Sequence, residues 1–152
     1  MNMQDLLKQK QNVVYDIHPD ASMGICIEML NERRIGALIV RSREDVLEGI
    51  ITERDVLRAV SARRGAIWDL PVREVMTPKE RLITVTMEEP VQSIMERMTN
   101  NRVRHIPIIE GGKVIGLVSI GDVVKFLLDQ AVEENEQMKE YIYGRYASGG
   151  AA

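Results

Sequence analysis

The sequence is poor in the residues from which many chemistries are built. It has one cysteine, two histidines, one tryptophan and one phenylalanine among 152 residues. A lone thiol excludes an intramolecular disulfide and suits a reducing compartment. His18 and His105 lack a companion cysteine or a spaced set of carboxylates, so no metal-ligand pattern is present. Aromatic residues make up 4% of the chain. None interleaves with the basic pairs Arg33-Arg34 and Arg63-Arg64, as a nucleic-acid surface would require.

Charge of one sign is also missing. With 20 basic and 23 acidic side chains the net charge is −3, which gives no global attraction for nucleic acid or for an anionic membrane. Any anion site must therefore be local. No apolar run approaches the ~20 residues that span a bilayer. Met1 to Gln11 mixes charged and polar residues, unlike a secretory signal, so the expected location is the cytoplasm. There is no nucleophile–base pair and no phosphate-activating lysine loop, and the expectation is a protein that catalyses nothing.

What is present is a repeat. Val14-Tyr15-Asp16-Ile17-His18-Pro19 lies over Leu82-Ile83-Thr84-Val85-Thr86-Met87 at an offset of 68. Met23, Cys26, Ile27 and Leu30 then fall over Val91, Ile94, Met95 and Met98, each set an apolar helical stripe at i, i+3, i+4, i+7. On that stripe Cys26 reads as a buried structural thiol rather than a nucleophile or redox sensor. Ala37-Leu38-Ile39-Val40 falls over His105-Ile106-Pro107-Ile108, both strand-like runs. The turn Glu110-Gly111-Gly112-Lys113 is a hairpin signal, because paired glycines supply positive φ. The corresponding turn, Arg41 to Asp45, is one residue longer, and the offset falls to 67.

Each copy thus reads strand, helix, strand, strand, helix, an α/β (α+β) arrangement. Neither copy is long enough to bury its own sheet and helices, so the halves should pack together. The expected division is a helical segment at 1–12, a first repeat at 13–62, a linker at 63–81 and a second repeat at 82–128. A helical extension at 129–146 and a flexible tail at 147–152 follow. Pro71 and Pro78 break the linker, and Trp68 beside them is expected to pin it. The last helix should start near Ser119 and run to about Tyr143. Phe126, Leu127, Ala131, Met138, Tyr141 and Ile142 on it are apolar groups beyond the repeat, which either find a partner across a dimer or, given Glu133 to Gln137, sit on a frayed, solvated helix.

The chemistry lies in a recurring unit, Gly-apolar-apolar-Thr/Ser-x-x-Asp, where a strand meets a helix. Thr52 and Ser119 are placed as N-caps, with Asp55 and Asp122 three residues on, a capping box carrying Asp in place of Glu. The first turn of a helix leaves backbone N–H groups unpaired and partially positive, and a phosphate set there gains those donors and the cap hydroxyl. A carboxylate one turn along can accept from both hydroxyls of a ribose. A single copy is more often a plain cap; two copies at matching places balance the stability and nucleotide readings evenly.

Gly49-Ile50-Ile51-Thr52-Glu53-Arg54-Asp55 and Gly116-Leu117-Val118-Ser119-Ile120-Gly121-Asp122 resemble the signature of CBS (cystathionine-β-synthase) domains. So do Val75-Met76-Thr77 and Arg102-Val103-Arg104-His105-Ile106-Pro107. The resemblance covers about residues 12 to 143. Glu140-Tyr141-Ile142-Tyr143-Gly144 is similar to the end of stand-alone bacterial and archaeal CBS pairs.

This resemblance implies two repeats related by a pseudo-two-fold axis, with two clefts for an adenosyl ligand: AMP first, ADP or ATP next. In the second cleft it assigns the ribose to Asp122, the phosphate to Ser119, and the base to Thr84, Val85, His105, Ile106 and Pro107. Gly121 stands where the first copy has Arg54, and Arg102, Arg104 or His105 is expected to supply the positive charge there. In the first cleft it assigns Asp55, Thr52 and the base-facing Asp16, Ile17, Gly36, Ala37 and Leu38, with Arg54 near the phosphate. The clefts are not equal: Asp16 stands where Thr84 supplies a hydroxyl, and its charge opposes phosphate. Occupancy at the second cleft is therefore the expectation. The implied role is a regulatory sensor acting through a homodimer or an effector protein, without nucleic acid, membrane or catalytic cofactor. Its rivals are a dimerisation scaffold without a physiological nucleotide, or a binder of NAD or S-adenosylmethionine.

Overall fold

The computed structural model describes residues 1–10 and 13–149, with side chains as far as Arg145. The chain begins with α1 (Met3–Gln9), capped by Asn2, whose side chain and that of Asp5 bond each other's backbone N–H. The first repeat runs β1 (Asp16–Ile17), α2 (Met23–Arg33), β2 (Ala37–Arg41), β3 (Leu47–Thr52), α3 (Glu53–Ala62). A connecting segment contributes the short strand β4 (Thr77–Pro78) between two 3-10 turns. The second repeat runs α4 (Val91–Asn101), β5 (His105–Glu110), β6 (Lys113–Ser119), α5 (Ile120–Gly149).

The repeat predicted from the sequence is also present in the register. β1 pairs parallel with β2, Asp16 opposite Ile39 and Ile17 opposite Val40. β2 pairs antiparallel with β3, and β3 with β4, in the order β1-β2-β3-β4. In the second repeat β5 and β6 form the antiparallel hairpin, turned at Gly111 and Gly112 with φ of 56° and 78°. Only these two glycines make the tight turn available at low cost.

The expected leading strand of the second repeat is reduced to one parallel bridge, Val85 opposite Ile108. That bridge is the image of Ile17 opposite Val40, at the offset of 68. In the first repeat Ile39 donates its N–H to Tyr15 at 3.1 Å. Pro107 stands at the corresponding place and has no N–H to give, so pairing begins one residue later.

Two apolar clusters form the core, and each is completed by a segment from outside its repeat. Met23, Cys26, Leu30, Leu38, Val40 and Ile51 of the first repeat enclose Ile67 and Val72 of the connection. Ile94, Met98, Ile106, Ile108, Val118 and Phe126 of the second enclose Met3, Leu6 and Leu7 of α1. The two segments dock alike. Pro71 bridges Ser22 ahead of α2, and Asn2 bridges Pro90 ahead of α4. Trp68 holds the connection down as expected: its carbonyl accepts from Gly24, and a Cβ on Gly24 would run into its ring.

Period-2 alternation turns Ala37, Ile39 and Ile50 away from the helix-side core, yet they are equally buried. At the head of β2 a Cβ on Gly36 would lie 3.1 Å from the His105 ring of the other repeat. The two repeats therefore approach each other at the heads of β2 and β5.

Two expectations are corrected. The last helix does not stop near Tyr143: α5 continues to Gly149, three residues into the segment expected to be a tail. Residues 150–152 of that tail, like Gln11 and Asn12, lie outside the described residues. Phe126 and Leu127 also need no partner beyond the repeat, since both pack into or against its core; Met138, Tyr141 and Ile142 are exposed.

Candidate functional site

Both strand–helix junctions form the reciprocal cap that their spacing implies. At the first, the Asp55 N–H donates to Thr52 Oγ1 at 3.2 Å, and the Thr52 N–H donates to Asp55 Oδ2 at 3.0 Å. At the second, the Asp122 N–H donates to Ser119 Oγ at 3.1 Å, and the Ser119 N–H to Asp122 Oδ2 at 2.8 Å. The junctions are also tied alike to the residue just ahead of the first hairpin strand: the Glu53 N–H donates to Gly36 O at 3.0 Å and that of Ile120 to Arg104 O at 2.8 Å. Cap, carboxylate and helix mouth therefore recur at equivalent points of the two repeats.

What each carboxylate does next differs. Asp55 is 9% exposed. The Thr52 hydroxyl donates to its Oδ2 at 3.1 Å and the Thr77 hydroxyl of β4 to its Oδ1 at 3.2 Å, so both oxygens are engaged. Asp122 has 26% side-chain exposure and is met by Lys10, from just beyond α1. The Lys10 ammonium donates to Asp122 Oδ2 and to the Leu117 carbonyl, each at 2.6 Å. Burial alone would raise the Asp122 pKa; the hydrogen bonds and charge of Lys10, with those of Ser119, outweigh it and hold the carboxyl below its ordinary value.

Thr77 and Lys10 are the functional neighbours that sequence reasoning missed. Thr77 stands in the Val75-Met76-Thr77 motif, which signals its place although not its partner. Lys10 carries no local signal. Only the equivalence of α1 and the connection, visible once both are docked, puts it there.

The remaining candidate residues fall around these junctions. Thr84 is exposed and its carbonyl accepts from Arg97 Nη2 at 3.1 Å, while Val85 is buried and bridges Ile108. Ile106 and Pro107 are buried in β5, and Arg104 is exposed before it. His105 is half-buried beside Gly36 and near Glu53; burial lowers its pKa against the pull of the Glu53 and Asp122 carboxylates. Ile17, Ala37 and Leu38 are buried in the first sheet, and Arg54 is exposed on the first turn of α3. Asp16 is exposed, but Arg41 Nε meets it at 2.5 Å, so its charge is balanced rather than free to oppose a phosphate.

A cavity of about 310 Å³ opens beside the second junction, lined by Leu6, Lys10, Asp122, Lys125, Phe126 and Asp129. Of the residues assigned to the second cleft, Asp122 alone lines it. A second opening of about 470 Å³, lined by Ile27, Leu30, Arg34, Ile35, Glu53 and Val56, lies against the face of α2 and α3 and includes none of the first-cleft set. Among the described residues no cluster of metal-ligating side chains occurs. No helix among them is long and apolar enough to cross a membrane.

The family model for the CBS domain matches residues 13–62 and again 72–129. The chain belongs to the CBS-domain family. This CBS pair is 40% identical over 129 residues to the mitochondrial CBS domain-containing protein CBSX3 of Arabidopsis thaliana, covering 84% of this chain. It spans 63% of that relative's length. The crystal structure of the CBS-domain containing protein ATU1752 from Agrobacterium tumefaciens matches with a TM-score of 0.77 and 36% identity, over 82% of this chain and 91% of that one. At the level of fold alone, the CBS domain pair of protein MJ0100, in complex with 5′-methylthioadenosine and S-adenosyl-L-methionine, matches with a TM-score of 0.73 and 21% identity, over 86% and 98% of the two chains.

Proposed function

We propose that this CBS pair is a non-catalytic regulatory module that binds an adenine nucleotide, AMP foremost, at its strand–helix junctions. The observation that carries this reading is the duplicated cap: the same reciprocal pairing of hydroxyl and carboxylate at equivalent points of both repeats. One junction of that kind would be a stability device; its duplication in a family whose member MJ0100 has been crystallised with adenosyl ligands favours a binding role. A phosphate at the mouth of α5 would take the Gly121 N–H and the Ser119 hydroxyl, since the Ile120 and Asp122 N–H groups are bonded to the Arg104 carbonyl and to Ser119 Oγ. The ribose would be received by Asp122, and the base would lie against Thr84, Val85 and the β5 backbone from His105 to Pro107.

The second cleft is the principal site in this reading. Asp122 is the more accessible carboxylate, and its Oδ1 has no partner among the described residues, whereas both oxygens of Asp55 are engaged within the protein. Ligand occupancy then alters how a second copy or an effector protein packs on the helices. Exposed Leu57 on α3 and Val124 on α5 occupy corresponding places, and Leu128 and Val132 continue that apolar line.

The internal satisfaction of Asp55 supports a second reading, a scaffold in which the caps are structural. Isothermal titration with AMP, ADP, ATP, NAD and S-adenosylmethionine separates the two. Micromolar binding, about −8 kcal/mol, is expected for at least AMP; no heat with any of the five leaves the scaffold.

A further inference from the structure

Lys10 stands on one of the two carboxylate oxygens that a ribose diol would use. Its ammonium is 2.6 Å from Asp122 Oδ2, the oxygen that also takes the Ser119 N–H. It is anchored independently on the Leu117 carbonyl, at the end of the strand leading into α5. It comes from outside both repeats: α1 is held in place by Met3, Leu6 and Leu7 in the second core. Lys125 and Asp129 of α5 line the same cavity with opposite charges, so Lys10 is the cation placed on Asp122 itself.

A ribose diol that took both oxygens of Asp122 would displace Lys10 from Oδ2 and so remove one partner from each member of this pair. Its diol would satisfy the carboxylate, but the ammonium, with only 28% side-chain exposure, would be left on one carbonyl with its charge unmatched. A nucleoside cannot make good that loss. A nucleotide can, because its phosphate lies at the helix mouth, one hydrogen bond from the oxygen the ammonium has just left, well within the swing of a four-carbon stem.

Resting on the nucleotide reading of this cleft, we infer that Lys10 is a specificity-determining residue that exchanges Asp122 for the ligand's phosphate and so selects phosphorylated adenosyl ligands over adenosine. Two charges paired in the free protein become two charge-assisted pairs in the complex, diol to Asp122 and Lys10 to phosphate. The same exchange ties the position of α1 to occupancy of the cleft.

Calorimetric titration of the full chain and its Lys10→Met and Lys10→Arg variants with AMP and with adenosine tests this, with Asp122→Ala assigning heat to the second cleft. The wild type should prefer AMP. Lys10→Met should bind adenosine more tightly, because Asp122 is released, and lose about tenfold of the AMP-over-adenosine preference. Lys10→Arg should keep most of it. A general loosening of α1 would move both ligands together, so the ratio is the informative quantity. An unchanged ratio in Lys10→Met, with AMP binding intact and sensitive to Asp122→Ala, would overturn the role of Lys10 and leave the nucleotide reading standing. No binding of either ligand by the wild type or Lys10→Met would remove both.

Discussion

Asp55 and Asp122 have the same cap geometry and different circumstances, and the difference comes from one contact each. A threonine hydroxyl from β4 closes the first carboxylate; a lysine from just beyond α1 pairs with the second. The cap itself was legible in the sequence, because Ser/Thr-x-x-Asp at the end of a strand has few other uses. Its outer partners were not, because Thr77 is 22 residues and Lys10 112 residues from the carboxylate it meets. Thr77→Val keeps the side-chain shape and removes the donor, leaving one oxygen of a buried carboxylate unsatisfied. A loss of about 1–3 kcal/mol is expected, read from the urea midpoint; an unchanged midpoint would show that the contact does not hold Asp55. Cys26 behaves as its place on the stripe implies: it is fully buried, and burial followed by the charge of Asp55 raises its thiol to about 11, far from a reactive thiolate.

At the scale of elements, periodicity identified the helices and strands of each repeat, and the offset between copies survived into the pairing register. Two features escaped it. The leading strand of the second repeat shrinks to a bridge because Pro107 lacks the donor that Ile39 uses, a loss that depends on which residue faces which across the sheet. The repeats were expected to pack together because neither covers its own sheet and helices; on the helix side α1 and the connection supply that cover. Short segments of that kind have little hydrophobic pattern of their own, and their role is visible only when they are docked. Leu6, 2% exposed, is the test. Leu6→Ala should cost about 2–5 kcal/mol and raise hydrogen exchange in α4 and β5. If it leaves stability unchanged, α1 is not part of the second core.

Over the whole molecule, the two repeats approach each other where Gly36 faces the His105 ring, beside Glu53 at the mouth of α3. His105 links pH to this contact. Its folded pKa lies below its ordinary value because burial disfavours the imidazolium. As pH falls below about 6.5, the unfolded chain therefore takes up a proton that the folded chain does not, and stability declines until the lowered folded value is passed. Asp122 acts at lower pH in the same direction: its folded pKa is depressed, so its contribution is present above the ordinary carboxylate value and disappears as pH falls through the folded one. Urea midpoints at pH 7.5 and 5.5 should show the wild type losing stability on acidification and His105→Gln losing less. Equal losses would dissociate His105 from the pH response.

The central claim concerns the duplicated junction, and the most direct measurement is the AMP isotherm of the wild type beside those of Asp122→Ala and Asp55→Ala. Micromolar binding by the wild type is predicted, weakened at least tenfold by Asp122→Ala and less by Asp55→Ala. Binding that is indifferent to both substitutions would contradict the claim that these junctions hold the nucleotide.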